Sequence, residues 1–562
     1  MTWRTRTLLD SLQGLDPRKC SCAANERKLT QIIKVIDIEM NYWVSNPAGI
    51  AAIAPLVQGR WRLTEGAAET LNRGYLDTFD WSVYLAGATL EWRNAAPPPV
   101  LIWSGLGHAD ETLVQVAPVE PGFPGDLPPG PVRARLIEIA GIRRLLPIMG
   151  IHTRVRHLNL CNAHDQTVAC LGLEESSFQD PRGGGTGDLR PRLRILPVRG
   201  HAREAEALRD ALAGLSGLEP ADSPLLLEAL AAAGRRPADY SSKLAYSLDP
   251  AAPADLATKE ILRGLLTTLE ANLDGTRANL DSEFLHDLRV ATRRTRSALG
   301  QVRGVFPEDQ VTHFKEEFAW LQQVTGPVRD LDVYLLAFDT YQQGLPAPFG
   351  ADLEPLREFL EAGYASEQDR LVQALGADRF TRLQTDWRAF LEAPAAASAT
   401  PNGARPIKEV ADRRIWALVR RVRREGRAIR PESPPQDLHE LRKSCKKLRY
   451  LIEFFQSLYA KDQSRALIAL MKVLLDHLGG YQDLAVQSVH LRDLAHRMSD
   501  AGQAPTATLL AIGALIGNLL ERQQQAREAF DPVFAGFLDE ANQRAFRNLF
   551  RPVRTSTRAA SK

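Results

Sequence analysis

The sequence predicts an α+β multidomain chain, with an antiparallel β-rich N-terminal part followed by an all-α C-terminal part built twice over. Three observations carry this. From about Val35 to Gly200, short and partly alternating segments are separated by Gly and Pro clusters, the grammar of strands and turns. After about Ala254, apolar residues recur at three and four, as amphipathic helices require. Two helical stretches also repeat each other 153 residues apart, Leu285 aligning with Leu438.

The elements follow in order. Residues 1–30 are polar and read as a tail, with Cys20 and Cys22 in a C-x-C that lacks a second pair at zinc-finger spacing. Strand-like segments cover Val35–Val44, Trp81–Trp92, Val100–Trp103, Thr153–Leu160 and Leu193–Val198. Pro97–Pro99, Pro121–Pro131 and Gly183–Gly187 break them. From Arg203 to Leu230 the period turns helical, which extends the first domain over 31–246. The helical domain covers 255–550, in two subdomains at about 255–392 and 407–550. The Ala/Pro/Thr run Ala393–Pro406 joins them, and 551–562 is a basic tail.

Composition narrows the class. The chain has 562 residues, 44% hydrophobic and 25% charged, as globular proteins do. The net charge of +2 says little, but Arg405 to Arg449 holds fifteen Lys and Arg against six Asp and Glu. The five cysteines suit free thiols in a reducing compartment. The most apolar stretch, Thr508–Leu520, is too short to span a bilayer and runs into Glu521 and Arg522. No signal peptide is evident in the first thirty or so residues. The expectation is a cytoplasmic protein without membrane contact, whose Thr508–Leu520 stretch is a buried bundle helix.

The duplication concentrates chemistry. Leu285-His286-Asp287-Leu288-Arg289 opens one helix, and Leu438-His439-Glu440-Leu441-Arg442 opens its repeat. Arg293, Arg294 and Arg296 align with Lys446, Lys447 and Arg449. Each helix thus sets His, basic, basic, basic at i, i+3, i+7 and i+10. At about 100° per residue, these four fall within about 80° of arc, beside the apolar face. Like charges so placed repel by a few tenths of a kcal/mol per pair, so an unligated surface helix gains nothing from them. Arg offers bidentate donors to phosphate oxygens, Lys adds a point charge, and His gains charge as anions approach. Lys443 extends the second stripe, and Arg413, Arg420, Arg424 and Arg427 form a third row on the preceding helix. The bland reading, a solvated basic surface with capping histidines, stands beside this one. A second repeat, Gly326-Pro327-Val328-Arg329-Asp330-Leu331 and Gly479-Gly480-Tyr481-Gln482-Asp483-Leu484, points to two bundles about a pseudo-two-fold axis.

The doubled L-H-[DE]-L-R-x3-[RK]-[RK]-x-R motif, with the G-x-x-[RQ]-D-L segments, resembles the CHAD family over about Leu256 to Phe550. The resemblance implies two helical bundles around a basic channel that binds inorganic polyphosphate, with no catalysis. It places His286, Arg289, Arg293, Arg296, His439, Arg442, Lys446 and Arg449 along that channel, and granule association follows as an expectation.

CHAD domains often follow a CYTH domain, a β-tunnel that hydrolyses triphosphates or cyclises ATP with a divalent metal. Asp37-Ile38-Glu39-Met40-Asn41 resembles that family's opening strand E-x-E-x-K without the lysine. Tyr75-Leu76-Asp77-Thr78 and Leu90-Glu91-Trp92-Arg93 resemble its Y-x-D-T and L-R-x-R pair, with Glu91 in place of an arginine. Thr153-Arg154-Val155-Arg156 resembles a later arginine-bearing strand. The closing strand, expected as alternating glutamates, reads Arg192-Leu193-Arg194-Ile195-Leu196. The chemistry needs carboxylates for Mg²⁺ or Mn²⁺ and cations for phosphate, and these changes damage both. The leading expectation is a non-catalytic polyphosphate binder with no cofactor. The enzyme alternative is a metal-dependent triphosphatase using Asp37, Glu39, Arg93, Arg154 and Arg156, the two acids holding the metal. A nucleic-acid binder is the third class, disfavoured because few aromatics interleave with the basic residues.

Overall fold

A computed structural model describes residues 40–45, 53–57, 59–93, 98–106, 112–117, 120, 122–198, 200–244, 246–394 and 400–552. Asp37, Glu39, Cys20 and Cys22 lie outside the described residues, as do 1–30 and 553–562. The chain divides into two compact units, Met1–Ser241 and Ser242–Lys562.

The first unit is an antiparallel sheet. Its strands are β1 (Met40–Val44), β2 (Arg62–Glu65), β3 (Glu69–Asp77), β4 (Ala88–Arg93), β5 (Val100–Gly105), β6 (Thr112–Val116), β7 (Leu146–Cys161), β8 (Thr167–Gln179), β9 (Thr186–Asp188), β10 (Arg192–Pro197) and β11 (Leu218–Pro220). They run in the order β11-β1-β10-β8-β7-β3-β4-β5-β6, with β2 beside β7 and β9 beside β8. β4 and β10 stand four strands apart in that order, about 19 Å on a flat sheet. Nevertheless the Arg194 charge bears on the Glu91 carboxyl, and Arg73 of β3 reaches Glu174 of β8 at 3.4 Å. The sheet is therefore rolled, with these charged side chains on its inner face.

Two local readings change. Within Trp81–Trp92, Ser82–Leu85 forms a helical turn and the strand begins at Ala88. The cause is Asp77, whose carboxylate accepts the backbone N–H groups of Thr78, Val83 and Tyr84 at 2.7–2.9 Å, the work of a helix cap. The helical stretch read from Arg203 to Leu230 is two helices, Ala202–Leu212 and Leu225–Ala232, separated by β11.

The second unit is helical: α1 (Ala254–Ala271), α2 (Leu273–Arg277), α3 (Ser282–Gln301), α4 (Glu308–Val324), α5 (Gly326–Gln343), α6 (Ala347–Ala351), α7 (Glu354–Gly376), α8 (Asp378–Glu392), α9 (Ile407–Ala428), α10 (Pro435–Phe455), α11 (Lys461–Asp500), α12 (Thr506–Glu528), α13 (Phe530–Leu538) and α14 (Glu540–Phe550). The offset of 153 holds from helix to helix. Ala254 maps to Ile407, Ser282 to Pro435 and Glu308 to Lys461, each the first residue of its helix. The α4–α5 pair corresponds to the single 40-residue α11. Pro327 lacks the N–H that would continue α4 into α5, whereas its counterpart Gly480 supplies one.

A reciprocal contact marks the internal symmetry. The Ala254 N–H donates to Arg405 O and the Ile407 N–H to Ala252 O, both at 2.9 Å. Ala252 and Arg405 are themselves 153 apart, so the two bonds are images of each other about a pseudo-two-fold axis. The main core runs through α1, α3, α9 and α10, and a second core joins α5, α7, α11 and α12. α12 buries Thr508, Ala511, Ile512, Leu515 and Leu519 in that second core, the bundle helix expected of the apolar stretch. Among the described residues, no helix is long and apolar enough to cross a membrane.

Candidate anion-binding cluster

The two stripe helices, α3 and α10, pack against each other. Each is fixed by an apolar face: Leu285, Leu288 and Leu299 on α3, and Leu438, Leu441 and Ile452 on α10, all at most 3% exposed. That packing brings the cationic stripes together. Burial first, then the charges of Arg442 and Arg293, push the Lys446 ammonium down to about 8. Arg293 belongs to the other helix and is the symmetry counterpart of Lys446, so the axis passes between them. Burial, and next Arg293, push the Arg289 guanidinium down to about 10, so it stays charged at neutral pH. Among the described residues neither Arg293 nor Lys446 has a carboxylate partner, and Arg293 Nε is buried without an acceptor.

The G-x-x-[RQ]-D-L segments build the flanks. Arg289 donates to Gln322 O at 2.9 Å and Thr325 Oγ1 at 2.8 Å, where α4 meets α5. A Cβ on Gly326 would lie 3.8 Å from the Arg289 guanidinium, and one on Gly479 3.4 Å from that of Arg442. Each arginine therefore lies within van der Waals reach of the helix at its glycine. Arg442 also meets Asp483 at 3.4 Å, and His439 Nδ1 lies 3.1 Å from the Gln482 amide oxygen. The Asp330 carboxyl, counterpart of Asp483, is pushed up by burial and drawn back by Arg289. His286 occupies the position on α3 that His439 holds on α10.

Other members of the stripes do different work. Arg294 and Arg449 both pair with Glu453, at 3.1 and 3.3 Å, and Arg294 also donates to Ser242 O. Lys443 is exposed beside Glu440, and burial with the charges of Arg421 and Lys443 lowers Lys447. Arg296 has no carboxylate partner among the described residues. Arg413, Arg420, Arg424 and Arg427 of the third row are exposed on the side of α9 opposite its buried stripe Ala411–Ile415–Leu418–Val422. α9 spends its apolar face on the core, which leaves this row facing solvent.

In the first unit the inner face carries Arg73, Arg93, Arg192 and Arg194 with Glu91 and Glu174. Arg73 and Glu174 are 2% and 3% exposed at their side chains. Arg73 meets Glu91 at 3.6 Å, Arg93 pairs closely with Glu91, and Arg194 meets Glu174 at 3.4 Å. Burial opposes ionisation of Glu91 and Glu174, but the arginines win and hold both carboxyls below the usual range. Arg154 and Arg156 are corrected: both are exposed on the outer face, Arg156 meeting Glu175 at 3.6 Å with both half-exposed. Strand alternation decides it, because Thr153 and Val155 take the inward positions of β7. Sequence reasoning missed Arg73 and took Arg192 and Arg194 as lost glutamates. Their alternation with Leu193 was the available signal. Glu91 and Glu174 are both engaged by arginine. Among the described residues, no three His, Cys, Asp or Glu converge on a metal position.

Comparison with known proteins places the class. Residues 260–492 match the CHAD domain. Two curated proteins of Mycobacterium tuberculosis, from strains CDC 1551 and H37Rv and both described as uncharacterized, are 26% identical over 310 residues. The alignment covers 53% of this chain and 58% of each relative, so the chain spans little more than half their length. Among solved structures, the CHAD domain of the plant Ricinus communis matches at 24% identity over 52% of this chain and 95% of that one, with a TM-score of 0.45. A Hippeastrum protein described as a putative adenylyl cyclase with dominant triphosphatase activity matches at 14% identity, over 36% of this chain and 99% of that one, with a TM-score of 0.24.

Proposed function

We propose that this protein binds inorganic polyphosphate through the cluster formed by Arg289, Arg293, Arg442 and Lys446, with His286 and His439 at its edge. The observation that carries the reading is the pair Arg293 and Lys446. Two cations from different helices lie close enough to depress Lys446, and the Asp483 carboxylate offsets that only in part. Such repulsion is tolerated where a polyanion relieves it. A ligand with one charge per repeat suits cations spaced by helical turns on two helices. In the first unit Glu91 is paired with Arg73 and Arg93, Glu174 with Arg73 and Arg194, and Arg192 with Glu228, which argues against the triphosphatase alternative. The location that follows is the cytoplasm, at polyphosphate granules.

The test is polyphosphate affinity at two salt concentrations, for wild type and for Arg293→Ala/Lys446→Ala, with the fold checked by circular dichroism. The double variant should bind at least tenfold more weakly. Each lost phosphate contact should flatten the log–log salt slope by about 0.7–0.9, so about 1.5 for two. Unchanged affinity and slope would reduce the cluster to surface charge. RNA displacing polyphosphate at equal phosphate concentration would overturn the ligand assignment.

A further inference from the structure

A cavity of about 580 Å³ opens in the first bundle, away from the basic cluster, between α1, the start of α4 and the end of α8. Its apolar wall is Phe390 with Phe306 and Phe314 packed against it, both centroids 5.1 Å from that of Phe390. Asp255 lines it at 2% exposure, with Oδ1 bonded to the Leu256 N–H at 2.7 Å and Oδ2 without any donor. Two further carboxylates, Asp309 and Asp386, stand at the exposed rim. The one lining lysine, Lys259, donates to Ala393 O at 2.7 Å and lies 5.1 Å from the Phe390 ring centroid.

The second bundle supplies an internal control. Asp255 and Lys259 map to Lys408 and Asp412, the same pair in reversed order, and Phe306 maps to Tyr459. There the charges close on themselves, with Lys408 Nζ at 2.6 and 2.7 Å from the two Asp412 oxygens. The Tyr459 hydroxyl donates to Asp412 at 2.7 Å, and Phe550 packs edge-on against Tyr459. In the first bundle the lysine turns to a carbonyl, the tyrosine hydroxyl is missing, and a buried carboxylate oxygen is left over. A buried charged acceptor without a donor is costly, on the order of 1–3 kcal/mol or more.

We propose that this cavity is a binding site for a primary alkylammonium compound. Asp255, Asp309 and Asp386 against Lys259 leave a formal net charge of −2 with the lining His313 counted as neutral, which selects a cation. The three carboxylates do not converge as a metal ion would need. The orphan Oδ2 requires an N–H donor, which a quaternary ammonium lacks. The ring wall accepts an alkyl chain and, at its faces, positive charge. Burial here works against the Lys259 ammonium and Asp255 draws it back, so the carboxylate is what favours a cation at this site.

The test is calorimetric titration of the full chain with butylamine and cadaverine, and with tetramethylammonium and Mg²⁺ as counter-probes. The two amines should bind, and tetramethylammonium should bind at least tenfold more weakly. Asp255→Asn keeps the Oδ1 bond to Leu256 and should weaken the amines at least tenfold, and Asp386→Asn, at the exposed rim, two- to fivefold. Polyphosphate affinity should be unchanged in both variants, which separates this site from the basic cluster. Absence of amine binding, equal binding of tetramethylammonium, preference for Mg²⁺, or indifference to both substitutions would each overturn the proposal.

Discussion

Lys446 titrates within reach of ordinary buffers because burial and the charges of Arg442 and Arg293 outweigh the pull of Asp483. Its value of about 8 lies below that of an unfolded lysine, near 10.4, so the folded state binds fewer protons between those values. The penalty on stability is therefore fully present below pH 8, and stability rises with pH as the folded group loses its proton first. A polyanion favours the charged form, so binding near pH 8 takes up a proton and affinity falls as pH rises from 7.5 to 9. Calorimetry in buffers of different ionisation enthalpy would register the uptake. Lys446→Arg should abolish both the uptake and the pH dependence. An affinity flat across this range in wild type would show that Lys446 does not meet the ligand.

Helix contacts and strand pairs give predictions of opposite sign. A Cβ on Gly426 of α9 would stand 1.9 Å from Phe534 of α13, whereas Gly517 of α12 has nothing within 4 Å. Gly517→Ala should stabilise by up to about 1 kcal/mol through helix propensity. Gly426→Ala should destabilise by about 1–3 kcal/mol through overpacking, both read as shifts in urea midpoint. In the sheet, Glu174→Gln leaves Arg73 and Arg194 short of a buried partner and should cost about 3–5 kcal/mol. Arg156→Ala, on the outer face, should stay within about 0.5 kcal/mol. The same contrast explains what could be read in advance. A repeat with one fixed offset survives in sequence because equivalent packing selects equivalent residues, so the helical duplication and the Arg293–Lys446 alignment were legible. Which face of β7 turns inward depends on register with β3 and β8, a tertiary choice, and so Arg154 and Arg156 were placed on the wrong side. The row on α9 is exposed, as a solvated face and a ligand-binding face both are. Four arginines on one face look alike whether the face meets solvent or a ligand.

Across the whole molecule, both helical cores lie within Ser242–Lys562 and use only residues of that unit. A chain beginning at Ser242 should therefore fold cooperatively and keep full polyphosphate affinity, checked by circular dichroism melting and the same titration. Loss of affinity in a folded fragment would assign part of the site to the first unit.

The reciprocal bonds between Ala254 and Arg405 and between Ile407 and Ala252 have a consequence for what such a surface can read. A rotation of 180° about the axis exchanges α3 with α10 and leaves the cation array nearly unchanged. A linear ligand lying across the axis is therefore offered the same contacts in either sense of travel. Polyphosphate has no sense of travel, since its chain is identical from both ends. A nucleic-acid strand runs 5′ to 3′ and would meet one half of the array backwards. A palindromic receptor is matched to a polymer without direction, and it can accept such a chain anywhere along its length.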